Sequence, residues 1–376
     1  MARPRNDGID LLRGLAMVLM ALDHTRDFFG DAARHPTDLA TTTVPLFLTR
    51  WVTHFCAPVF VLLAGTAAAL YGARGRTTAE VSRFLVTRGL WLVVLEVTLV
   101  RLGWMFDLTY RFTMLQVIWA IGWSMVFLGG LVFLPRWTIA LVGGATVALH
   151  DALDRTHFHT WLWAVVHEQR MLHLAPHVDV FVVYPLVPWV GVMALGYAMG
   201  PWFLLEPSPR RQRLLGTGAA LCAAFVALRL SNHYGDPAAW VPQRSVTFTT
   251  LAVLNCAKYP PSLDYLLMTL GPALVVLALV DGRAPAAARP LLVFGRVPMF
   301  YYLLHLPLIH VLAGAALAAR GGLAAVRDAV HSPHGSGFSL PVVYLAWLCA
   351  VVILYPACAW FAGVKQRSTR WWLSYL

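Results

Sequence analysis

Long apolar runs separated by short polar breaks follow one another along the whole chain. A helix needs roughly 20 mainly apolar residues to cross a bilayer. Measured against that length, the 376-residue sequence divides into ten expected spans: 9–29, 46–71, 85–106, 113–134, 136–150, 178–200, 214–231, 262–281, 291–318 and 340–363. The pattern predicts an all-α, polytopic integral membrane protein with residues 1–376 as a single transmembrane domain.

The polar positions inside the first run change the picture. IDLLRGLAMVLMALDHTRDFF, from Ile9 to Phe29, has an apolar middle from Gly14 to Leu22, flanked by Asp10 and Arg13 on one side and by Asp23, His24, Arg26 and Asp27 on the other. Charged groups within a span are costly and usually line a polar cavity or a substrate path. At about 100° per residue, Asp10, Arg13, Met17, Met20, His24 and Asp27 share one helical face. Arg13 and His24 then lie about 16 Å apart along it. A signal anchor with charges marking its ends is the plainer alternative, but Asp23 and His24 interrupt the apolar run too early for it.

Composition supports the class. Hydrophobic residues make up 59% and charged residues 12%, against about 25% charged in soluble proteins, and mean hydropathy is +0.65. The net charge of +11 is a topology signal. Arg3 and Arg5, Arg74 to Arg88, Arg210 to Arg213, Arg283 and Arg289, and Lys365 to Arg370 all fall on one side of the ten-span chain. The positive-inside rule makes that side the cytoplasm, with both termini there. The lipid bilayer is the expected partner, and nucleic acid is not. Five scattered cysteines show no disulfide framework. The segments 31–45, 151–177, 231–261 and 319–339 are expected to form the outward loops.

Other polar residues in or beside the spans each have a structural and a functional reading. Glu96 and Arg101 fit an ion pair or a bond to a neighbouring helix. Gln116 and Trp119 either line a donor tunnel or tie helices together. His305 and His310 flank Pro307 within one span. Lys258, in NCAKYPPSL, either anchors a helix at the interface or grips an anionic substrate group. His150, His157, His159, His167, His173 and His177 contain HxH and HxxxH spacings, but no recognisable third ligand completes a zinc motif, so no metal is expected.

The opening RNDGIDLLRGLAMVLMALDHTRDFF resembles bacterial membrane proteins related to heparan-alpha-glucosaminide N-acetyltransferase, within the acyltransferase transmembrane superfamily. The resemblance continues through TRWVTHFCAPVFVLLAGTAAALYG, FLVTRGLWLVVLEVTLVRLGW, LQVIWAIGWSM, VYPLVPWVGVMALGYAMG, KYPPSLDYLLMTLGP and FGRVPMFYYLLHLPLIH. It implies transfer of an acetyl or acyl group from cytosolic acetyl-CoA or another acyl-CoA to an amine or hydroxyl of an extracytoplasmic sugar or glycan. The implied location is the bacterial cytoplasmic membrane. The family's asparagine and catalytic histidine align on His24 and His35. Residue chemistry independently suits His24 as the general base, with Asp27 one turn away as its orienting partner. His35 is the rival base. Arg13 is the candidate for a donor phosphate, with Gln116 and Trp119 beside the donor, and Lys258, His305 and His310 are candidates on the acceptor side. The alternative function is a secondary transporter or flippase, whose buried charges would look similar.

Overall fold

The computed structural model describes residues 6–31, 34–282, 285–331, 337–368, 370 and 373, the side chains of 328–331 excepted. It is 73% helical, and helices overlap every apolar run marked in the sequence.

Helix α1 (Asp7–Phe29) begins where Asn6 accepts the N–H of Ile9 at 3.2 Å. Asp7 and Asp10 sit in its first turn and Arg26 in its last, which complements the helix dipole. Helices α2 (Val44–Thr53) and α3 (Cys56–Gly72) form one rod broken at His54 and Phe55. Helix α4 (Thr78–Leu95) opens with a Thr77–Glu80 capping box and continues through a π turn, Glu96–Val100, into α5 (Arg101–Met105). Strand β1 (Phe112–Leu115), helices α6 (Val117–Leu131), α7 (Arg136–Leu149) and α8 (Trp161–Val166), and strands β2 (Arg170–Ala175) and β3 (Val178–Val182) follow. The chain then runs through α9 (Val187–Met199), α10 (Pro207–Ser231), α11 (Val246–Leu254), α12 (Leu263–Val280), α13 (Arg289–Arg296), α14 (Pro298–His331) and α15 (Leu340–Arg367).

Among the described residues, six stretches are long and apolar enough to cross a membrane: Val44–Gly72, Val187–Leu204, Pro207–Ser231, Leu263–Val280, Pro298–Arg327 and Leu340–Arg367. This is a multi-pass membrane protein. Helix α1 has the length, but charges near both ends dilute its apolar window. Helices α6 and α7, with 15 and 14 residues, reach only about 21–23 Å.

The all-α expectation needs one correction. Strands β1, β3 and β2 form a small sheet in that order, with Phe112 opposite Asp179 in the parallel pair and Arg170 opposite Val182 in the antiparallel pair. The hydropathy pattern places residues 113–115 and 178–182 in the first turns of membrane helices, whereas they pair as strands. Val178, Val180, Val182 and Val183 are β-branched, and such residues fit a pleated surface better than a helix start.

Glycines set the spacing around α1. A Cβ on Gly14 would lie 1.9 Å from the Leu291 carbonyl oxygen, and one on Gly295 would lie 1.8 Å from that of Asp10. Helices α1 and α13 therefore touch backbone to backbone, the small-residue packing typical of membrane helices. Polar groups collect at both ends of α1. At its start, Asp281 bonds Arg210 at 2.7 Å and Asn6 at 3.4 Å, while Arg296 reaches Asp7 at 3.4 Å. The other end holds the candidate site.

Candidate active site

The last two turns of α1 present different chemistry on two faces. On one face Asp23 is buried and accepts both oxygens' worth of hydrogen bonding from Arg50 on α2, at 2.6 and 2.7 Å. The Thr53 hydroxyl donates to it at 2.8 Å, Arg26 lies 3.0 Å away and Lys258 3.9 Å away. Arg26 also pairs with Asp27 at 2.5 Å. Three cations thus meet two carboxylates, an excess of one positive charge. A buried charge survives only when it is paired and hydrogen-bonded, and Asp23 supplies most of that pairing here.

Beyond this cluster opens a cavity of about 620 Å³. Its polar lining includes Arg26, Asp27, Asp31, Arg34, His35 and Arg50, and Leu46, Phe338, Leu340 and Val343 supply apolar wall. The Phe338 N–H donates to the Phe29 carbonyl at 2.7 Å, so the approach to α15 closes directly over the end of α1. His35 stands in a loop fixed from several directions. Its Nδ1 lies 3.1 Å from the Thr37 hydroxyl, Thr42 donates to the Pro36 carbonyl at 2.8 Å, and Asn255 donates to the Thr37 carbonyl at 3.0 Å. Asp38 caps the loop's turn. Hydrogen bonds from the Thr41 hydroxyl and the Ala40 N–H hold its carboxyl below the ordinary aspartate value.

His24 faces away from the lining of this cavity. Its Nδ1 lies 2.7 Å from His305 Nε2, and the two rings stack at 4.9 Å. His305 Nδ1 is 2.7 Å from the Tyr302 carbonyl oxygen, which can only accept. That bond places a proton on His305 Nδ1 and leaves Nε2 of the neutral ring as the acceptor. His24 must then donate through Nδ1, so the lone pair of a neutral His24 sits on Nε2. Trp104 packs edge-on against the His24 ring at 5.0 Å. The expected pairing of His24 with Asp27 does not form. One helical turn brings the two side chains to the same broad face, but Asp27 turns to the Arg26 guanidinium, while His24 Nδ1 takes its partner, His305, from α14.

The other candidate residues are dispersed. Arg13 bonds Asp10 and the Gly295 carbonyl, each at 3.1 Å. Gln116 and Trp119 donate their backbone N–H groups to Glu96, at 3.3 and 3.1 Å. Glu96 thereby satisfies free N–H groups at the buried start of α6, the neighbouring-helix bond that is one of its two structural readings, and among the described residues it makes no ion pair with Arg101. Arg101 instead bonds the Asp107 carboxylate at 2.8 Å and the Phe112 carbonyl at 2.9 Å. Arg13 and the Gln116–Trp119 pair, expected to share a donor, therefore have separate bonding partners. Lys258 joins the Asp23 cluster. His310 bonds the Gly103 carbonyl at 3.2 Å and stacks on Phe106, apart from the cavity.

Sequence reading missed Arg50, which sits in TRWVTHF inside an expected span. An arginine at that depth, like those of the first helix, was the available signal. It also missed Arg229. This buried guanidinium donates to the carbonyls of Ala238, Ala252, Val253 and Asn255 at 2.9–3.2 Å, tying down the C-terminal end of α11.

The fold and site define a multi-pass membrane protein with a cationic, histidine-bearing cavity at one end of its bundle. The chain belongs to the family described as heparan-alpha-glucosaminide N-acetyltransferase, catalytic, which matches residues 5–233. It is thus an acetyltransferase-like membrane enzyme. The match takes in His24, His35 and Arg50, while Lys258, His305 and His310 lie beyond it. No curated protein matches the chain.

Proposed function

We propose that this enzyme moves an acetyl or other acyl group from a cytosolic acyl-CoA to an amine or hydroxyl of an extracytoplasmic sugar or glycan, with His35 as general base. The observation that carries this reading is the cavity in which His35 stands among Arg26, Arg34 and Arg50. An imidazole titrates near neutral pH and can accept a proton from an attacking amine or hydroxyl. The nucleophile bonds to the thioester carbonyl carbon, and the oxyanion that develops is stabilised by the excess positive charge beside Asp23. The carbon–sulfur bond then breaks, and the imidazolium returns its proton to the departing thiolate. In this orientation the start of α1 faces the cytoplasm and the cavity faces outward.

A second reading keeps His24 as the base. The chain of donors through His305 leaves the lone pair of a neutral His24 on Nε2. Purified protein assayed with acetyl-CoA and glucosamine separates the two. His35→Ala is expected to reduce transfer by about 10²–10⁴-fold while leaving the rise in melting temperature produced by acetyl-CoA unchanged. Loss of transfer in His24→Ala with an active His35→Ala variant would move the base to His24. A wild-type protein that neither binds nor consumes any acyl-CoA would overturn the acyltransferase reading in favour of a transporter.

A further inference from the structure

The histidine-rich outward segment holds a cluster that the proposed acyl transfer does not use. His150 ends α7 in a short 3-10 turn, His150–Leu153, and His167 closes α8. Asp154 lies between them in sequence. One ligand atom from each of these three residues falls within 4.8 Å of the other two. The His167 Nε2 to Asp154 Oδ1 distance is 3.0 Å, and the two imidazole rings meet edge to face at 5.9 Å.

The cluster is unusual in what it leaves unsatisfied. His150 and His167 are each only 3% exposed. Among the described residues, neither ring nitrogen of His150 has a hydrogen-bond partner, nor has His167 Nδ1. Asp151 Oδ1 comes within 3.1 Å of His150 Nδ1 but also makes no hydrogen bond. Buried polar atoms without partners are rare because each forfeits its hydration. A metal ion coordinated by the ring nitrogens would replace that lost hydration.

We propose that His150, His167 and Asp154 bind a single divalent transition-metal ion of the zinc class. Two imidazole nitrogens and a carboxylate oxygen suit Zn²⁺, whereas Mg²⁺ and Ca²⁺ prefer oxygen-only shells. Ligands at about 2.0–2.1 Å from a tetrahedral metal lie about 3.3 Å apart; His167 Nε2 and Asp154 Oδ1, at 3.0 Å, are already close to that spacing, and the His150 nitrogen, within 4.8 Å of both, closes by up to about 1.5 Å on binding. The ion fastens the end of α7 to the end of α8. Asp151 extends the connection, since its other oxygen accepts the Leu263 N–H at the start of α12 at 2.9 Å. The HxH pair His157 and His159 takes no part. His157 lies 3.7 Å from Glu168 instead. The three ligands span residues 150–167 and match neither the HxH nor the HxxxH spacing of this segment, so the folded chain alone brings them together.

The test uses the full-length protein in detergent, stripped with a chelator and then titrated with Zn²⁺ or Co²⁺. The expected result is one metal per chain by elemental analysis, a higher melting temperature with Zn²⁺, and a tetrahedral visible spectrum with Co²⁺. X-ray absorption on the wild-type zinc form should show a nitrogen and oxygen shell with outer scattering from two imidazoles, which needs no variant to fold. His150→Gln and His167→Gln should each lose the metal, and His157→Gln should keep it. Folded wild-type protein that takes up no metal would overturn the proposal. So would a sulfur-containing shell, or undiminished binding in the His150→Gln and His167→Gln variants.

Discussion

Removing the Asp23 carboxylate leaves Arg26, Arg50 and Lys258 facing one another in a buried site. Breaking a buried charge cluster by deleting one partner typically costs about 3–5 kcal/mol, because the remaining charges stay desolvated. Asp23→Ala is expected to lose that much in detergent unfolding experiments. Asp27→Ala should lose less than about 1 kcal/mol, since that carboxylate is 39% exposed and its pairing is partly replaced by water. Equal losses would mean that the Asp23 cluster is not held as a unit. The His24–His305 contact makes a similar prediction. A double-mutant cycle with His24→Leu and His305→Leu should show a coupling of about 0.5–3 kcal/mol, and additive losses would show that the 2.7 Å contact does not form.

Among the elements, the α1–α13 contact tolerates no side chain. Gly14→Leu or Gly295→Leu must part the two helices, because even a Cβ would penetrate the opposing carbonyl. Either variant is expected to lose its monodisperse peak in size-exclusion chromatography, whereas Gly144→Leu, with open space around its Cβ position, should keep it. The loop carrying His35 should loosen in acid. Thr41 and Ala40 favour the charged form of Asp38, so the folded carboxyl titrates below its unfolded value. Its contribution to loop order is complete above the ordinary aspartate pKa of about 3.9 and is lost as pH falls through the lowered folded value. Hydrogen exchange at Ala40 and Thr41, corrected for intrinsic rates, should rise in that acidic window and stay flat above it. Asp38→Asn should show the faster exchange already at neutral pH.

For the whole molecule, Arg210, Arg211 and Arg296 lie with Asn6 and Asp281 at the start of α1, opposite the cavity. A reporter active only in the cytoplasm should therefore work when fused after Arg213 and stay silent when inserted near Arg244. The reverse pattern would turn the cavity toward the cytoplasm and remove the need for transfer across the bilayer.

Much of this arrangement could be read from the chain directly. Hydropathy is a sum over sequence neighbours, so it marked where helices lie and which residues, Asp23, His24 and Arg26 among them, would be expensive to bury. The same local sum misread residues 113–115 and 178–182, because a short apolar segment scores alike as strand or as helix start. Partner choice was decided only by the tertiary structure. His24 meets His305 across 281 residues of sequence, Asp23 takes Arg50 from α2, and Glu96 caps α6 while Arg101 takes Asp107. Such bonds depend on separations between helices, which backbone contacts such as Gly14 on Leu291 set, and no periodicity along a single helix contains that distance.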